Sequence, residues 1–152
     1  MIALMTAVHA LAAIVWVGGM FFAYMALRPS VGELDPPERV ALWARVFGKF
    51  FPWVWMSVIV LLVSGFWIIF VEWGGFAGAG MHVHTMMLIG LIMMAFFAHL
   101  YFAPFKRLRQ AVASGDTPAA AKQIGQIRMI VATNLVLGLV TSAIGASGRY
   151  WG

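Results

Sequence analysis

The sequence predicts an all-α fold: an integral membrane four-helix bundle whose helices extend into the cytoplasm. Three observations carry that prediction. The 152-residue chain is 63% hydrophobic and only 10% charged, with a mean hydropathy of +0.93, whereas soluble domains carry about 25% charged residues. A chain this short cannot hide so much apolar surface in a core, so its solvent is lipid. Uncharged runs at 2–27, 50–71, 81–105 and 129–148 each approach or exceed the ~20 residues that cross the hydrocarbon as a helix. Basic residues gather between the runs rather than within them.

The first run, 2–27, lacks a basic leading segment and a small-residue cleavage motif, so it is expected to be a crossing and not a cleaved signal. After it, Asp35-Pro36-Pro37-Glu38 has the form of a helix start, with a capping acid, prolines in the first turn and a Glu at the third position. That helix is expected to run through Trp43 and Arg45 into the second crossing, with a kink at Pro52. The middle connection, "EWGGFAGAG" (72–80), has no basic residue. The third crossing ends in "FKRLRQAV" (105–112) and a turn at Ser114-Gly115-Asp116. Thr117-Pro118 then starts the helix that becomes the fourth crossing. All four belong to one domain, 1–152.

Orientation follows from the basic residues. Arg28, Arg39, Arg45 and Lys49 lie in the first connection, and Lys106, Arg107, Arg109, Lys122 and Arg128 in the third. Both connections are therefore expected in the cytoplasm of a bacterium. Both termini and the middle loop then face the periplasm across the inner membrane, and only Arg149 opposes this. Basic residues spaced this way serve topology and lipid headgroups, and exclude a nucleic-acid partner. Cysteine is absent, so no disulfide or thiolate metal site exists. Trp53, Trp55, Trp73 and Trp151 are expected in the interfacial belts. Trp16 and Trp67 lie too deep for a belt and are expected to line a cofactor pocket or to pack helices.

The four histidines carry the chemistry, because an ionisable group within a membrane span is costly. His9 lies about 8 Å outward of the middle of the first run, and His84 about 12 Å outward of the middle of the third. The two runs are parallel, so these imidazoles fall within roughly one helical turn of the same depth, where a metal fits between them. His82 is rotated about 200° from His84 and is nearer the interface, as a supporting group or a propionate contact. His99 lies about 22 Å along the helix from His84, too far to share an ion with it. It is expected to bind a second cofactor, or to act in hydrogen bonding or proton handling. Two neutral imidazoles on facing helices suit axial ligation of haem b iron. Ala10, Ala12, Ala13, Gly18, Gly19 and Gly90 offer either room for the macrocycle or close helix packing. Met81, Met86, Met87, Met93 and Met94 crowd the third run. They serve either as Cu(I) ligands alongside the histidines or as apolar filler.

"HALAAIVWVGG" (9–19) resembles the first helix of the copper resistance protein D (CopD) family. It is also similar to that of the HemJ type of protoporphyrinogen oxidase. "SVIVLLVSGFW" (57–67) resembles their second helix, and "HVH" (82–84) with "HLYFAPFKRLRQAV" (99–112) their third. The resemblance implies a four-helix membrane protein, with haem b in the HemJ branch and a copper role in the CopD branch, and it points to His9, His84 and His99. Two features depart from the HemJ pattern: His84 stands where those proteins have Lys, and no Glu-Pro follows Asn134. The expected function is thus that of a haem b-binding, cytochrome b-like redox protein of the inner membrane, its iron held by His9 and His84. A bis-histidine iron leaves no open position, so it favours electron transport over oxygen activation. The expected partners are the lipid bilayer, a quinol or redox protein, and further copies of the chain or a larger membrane complex. The alternatives are a copper transport or delivery protein using His9, Met81, His82 and His84, a protoporphyrinogen oxidase-like enzyme, and a structural accessory subunit of a respiratory complex.

Overall fold

The computed structural model describes residues 1–150, Arg149 by its backbone alone. Trp151, expected in an interfacial belt, lies outside the described residues, as does the side chain of Arg149. The chain forms four long helices: α1 (Ile2–Glu33), α2 (Pro36–Val71), α3 (Met81–Ala113) and α4 (Thr117–Ser147). Each is long and apolar enough to cross a membrane, and the chain is a multi-pass membrane protein. Every expected crossing falls within one helix or runs at most one residue past its end. The helices outrun the apolar runs because the basic segments continue them. The 31 residues of α4 span roughly 46 Å, against about 30 Å of hydrocarbon, so its basic end emerges from the bilayer. Four antiparallel crossings put the two basic connections at one end, called here the basic end. Met1, the middle loop and His9, His82 and His84 belong to the other, the histidine end.

The start signals act as expected, with one difference. Asp116 caps α4, its Oδ1 accepting the Ala119 N–H at 3.0 Å, and Gly115 turns the chain into it at φ +72°, a conformation that suits glycine. Asp35 occupies the capping position of α2, but its side chain makes no capping bond. Pro37 removes one of the two N–H groups, those of the second and third helical residues, that a capping side chain accepts from. At Pro52, where a kink is expected, α2 stays α-helical throughout. The irregular turns lie elsewhere, as π-helical segments at Ala23–Leu27 in α1 and Tyr101–Phe105 in α3. The second contains Pro104, whose missing N–H a wider turn accommodates.

Helix α1 lies along α2, and α3 along α4. Helices α2 and α3 meet through rings. Trp43, Phe47, Phe51 and Trp55 recur every four residues, so they share one face of α2, and Phe97, Tyr101 and Phe105 do the same on α3. Phe47 stacks on Phe51 at 5.1 Å and on Trp43 at 5.0 Å. Phe51 meets Phe105 edge-on at 4.8 Å and Phe97 at 5.5 Å. Trp55 packs on Phe97 at 5.1 Å, so its ring belongs to this ladder. Each such pair contributes about 0.5–1.5 kcal/mol beyond its burial. Trp16 of α1 closes the ladder from the side, edge-on to Phe97 at 6.0 Å. Below it, the helix ends outside the hydrocarbon bury Leu108, Ala120 and Ile127 completely.

Towards the histidine end, α4 meets α1 and α3 on glycines. A methyl group on Gly138 of α4 would meet Val17 of α1 at 2.8 Å and Met93 of α3 at 3.1 Å. Gly145 faces the Met86 methyl, and Gly148 faces the His82 ring. Gly19, considered above as room for a macrocycle, is instead where Phe50 of α2 seats against α1. Close approach of this kind drives association in lipid, where apolar contact alone gives little.

Candidate metal centre

His9 is half-buried on α1, and its Nδ1 lies 2.8 Å from Ser64 Oγ on α2. Ser64 is buried, and its hydroxyl oxygen lies 2.6 Å from the Val60 carbonyl oxygen. A hydroxyl has one proton and a carbonyl has none. Directed at Val60, that proton makes Nδ1–H the donor to Ser64; directed at His9, it makes Nδ1 the acceptor. The first case is the Nδ1–H tautomer with the Nε2 lone pair free, the arrangement that fixes a metal-ligating imidazole. Gly65 makes room for it: a methyl group there would stand 3.2 Å from His9 Cε1.

Two registers bring His84 to the same depth. Val17 and Met93 are level, since both approach Gly138. His9 is eight residues outward of Val17 and His84 nine outward of Met93, a difference of about 1.5 Å. Phe51 and Phe97 are also level, and Ser64 and His84 each lie thirteen residues outward of them. His84 is half-buried, with no hydrogen-bond partner among the described residues. Met87, three residues on, is half-buried on the same face.

The other two histidines are placed differently. His82 packs beside Gly148 and edge-on to Trp73, ring centroids 5.9 Å apart, at the outer end of α3. His99 is exposed on the outer surface of α3, while its neighbours Phe97 and Leu100 face inwards; His84, about 60° around the helix from His99 and about 180° from buried Met93, lies towards that outer side, so it shares the depth of His9 without facing it. Asn134 is buried and donates from Nδ2 to the Met93 carbonyl at 3.1 Å. Its Oδ1 has no partner and it borders a cavity of about 150 Å³ shared with Trp16, Phe51 and Phe97. Trp16 thus both lines a cavity and packs helices.

Among the described residues no group of three or more His, Asp or Glu side chains gathers. Sequence reasoning missed Ser64 as the group that orients His9. The signal was present in a serine set alone amid "VIVLLV", beside a glycine. A family model described as CopD, Copper resistance protein D, matches residues 44–147. No curated protein and no solved structure matches the chain.

Proposed function

Since the chain belongs to the copper resistance protein D family, we propose that it is a copper-binding membrane protein that takes up and hands on Cu(I) at its histidine end. One observation carries this reading: the Ser64 hydrogen bond to His9 Nδ1, which in the Nδ1–H tautomer leaves Nε2 free, at the depth of His84. Imidazole nitrogen and thioether sulfur suit Cu(I); His9 offers the first from within the bundle, and His84 and Met87, level with it on α3, offer both. Ser64 fixes the ring, and Gly65 leaves the space the ring needs. Met81, at the exposed end of α3, with His82 beside it offers a first contact for an arriving ion. The layer of Trp16, Phe51 and Phe97 beneath the site favours exchange from the histidine end over passage through the bundle. The basic end is then cytoplasmic and the site faces the periplasm.

A second reading, a low-spin haem b held by His9 and His84 for electron transport, is favoured by the same hydrogen bond at Nδ1, which axial imidazoles also use. Bound there, haem would supply one-electron redox chemistry, with His9 and His84 as its holders. Copper is preferred because the family the chain belongs to is described by copper resistance. Metal analysis and an absorption spectrum of the protein purified in mild detergent decide between them. The copper reading expects a colourless protein with one copper per chain. A red protein with sharp α and β bands on reduction would replace it with the haem reading, and a colourless, metal-free one would refute both. For orientation, Ser114→Cys should resist a membrane-impermeant thiol reagent in intact cells while Gly78→Cys reacts. The reverse pattern would turn the protein over.

A further inference from the structure

Three arginines line one cleft at the basic end. Arg28 follows the π turn of α1, Arg39 stands at the start of α2, and Arg128 lies on α4. Together with Trp43 and Phe47 they line a cavity of about 540 Å³. No ion pair engages any of them among the described residues, although Glu33, Asp35 and Glu38 lie on the same connection. Arg28 rests over the Tyr24 ring at 5.0 Å. Like charges crowded into a cleft with low-dielectric walls focus a positive field, which an anion would neutralise.

The rest of the cleft is apolar. Ala23, Phe47 and Val131 border both this cleft and the inner cavity beside Trp16, so an apolar floor leads from the arginines towards the bundle interior. The π turn at Ala23–Leu27 sets the directions of Tyr24 and Arg28, and such turns are often found at functional sites. A cationic rim over an apolar slot, at the level where a helix leaves the bilayer, matches an anionic amphiphile. Basic pockets between membrane helices bind anionic headgroups in this way.

We infer that this cleft is a binding site for one anionic glycerophospholipid, its phosphate held by Arg28, Arg39 and Arg128 and an acyl chain laid along Trp43 and Phe47. It lies at the opposite end from the histidines and does not depend on the copper reading. The test is native mass spectrometry of the full chain released from phosphatidylcholine nanodiscs containing phosphatidylglycerol. Two variants with equal charge loss are compared: Arg28→Gln/Arg39→Gln/Arg128→Gln in the cleft, and Lys106→Gln/Arg107→Gln/Arg109→Gln on the exposed side of α3. The parent and the α3 variant should retain one phosphatidylglycerol, and the cleft variant should lose it by more than about tenfold. If the triple cleft variant does not fold, Arg128→Gln alone should weaken retention about fivefold while Arg107→Gln does not. Equal losses from both surfaces would reduce the site to general headgroup attraction, and no loss from the cleft would refute it. If inorganic phosphate raises the unfolding temperature in detergent as much as short-chain phosphatidylglycerol does, the ligand is a soluble anion and the lipid assignment fails.

Discussion

The two halves of the bundle are held by different means. At the basic end, rings on α2 and α3 interlock in a ladder, and Leu108, Ala120 and Ile127 are sealed beneath it. At the histidine end, α4 meets α1 and α3 on glycines, and α1 meets α2 through a single side-chain hydrogen bond between His9 and Ser64. The first half is suited to stability, since wide ring contacts supply the dispersion that lipid-facing surfaces cannot. The second spends little side-chain volume and leaves an imidazole nitrogen without a protein partner. A site that must accept and release a ligand belongs where packing is lightest. About 20 Å of helix separates Phe51 from Ser64, a distance at which changes in the two halves should act independently.

The largest expected effect lies in the ladder. Phe51 is 2% exposed and touches rings on both helices, so Phe51→Ala should cost about 3–5 kcal/mol, measured by unfolding in mixed detergent micelles. Copper binding by the remaining folded protein should be unchanged. A loss below about 1 kcal/mol would remove the ladder from its stabilising role. A shift in copper affinity would show that the halves are coupled.

The next effect lies at the other end. Ser64→Ala should weaken Cu(I) binding about 10–100-fold, as loss of an orienting partner does, and should lower stability by no more than about 1 kcal/mol. Without metal, nitrogen-15 resonances of His9 should report the Nδ1–H tautomer in the parent and a mixture in Ser64→Ala. An Nε2–H tautomer in the parent would undo the argument for a free Nε2.

The smallest effect is expected between the halves. Asn134→Leu removes one hydrogen bond to Met93 and one unpartnered Oδ1 together, and apolar replacement of such a group is close to neutral. Stability should change by less than about 1 kcal/mol in the same unfolding assay. A loss of several kcal/mol would mean that the Oδ1 is satisfied in the membrane by a group that also matters for the fold.

The sequence revealed the helices more fully than their contacts. Uncharged runs and the basic residues between them are properties of composition, and they located every crossing. Trp43, Phe47, Phe51 and Trp55 recur every four residues, a spacing the sequence reading passed over, and spacing alone could not say that α3 would meet that face with rings of its own. The contact of Trp55 with Phe97 stayed hidden for this reason. Depth matching put His9 and His84 on one level because rise per residue is fixed. The partner of His9 was out of reach of that reasoning, since Ser64 lies 55 residues away and only packing joins them. His99 shows the same limit from the other side. Its position along α3 was known, but its exposure depends on which face α4 covers.

The most direct test is a competition titration of Cu(I) against a chromophoric chelator, run on the parent and four single-alanine variants. His9→Ala and His84→Ala should each weaken binding by more than about 100-fold, beyond the loss of an orienting partner, while His82→Ala and His99→Ala stay within about threefold of the parent, there being no shared ligand to lose. Unchanged affinity in His9→Ala, or a loss confined to His99→Ala, would contradict a metal centre at His9 and His84.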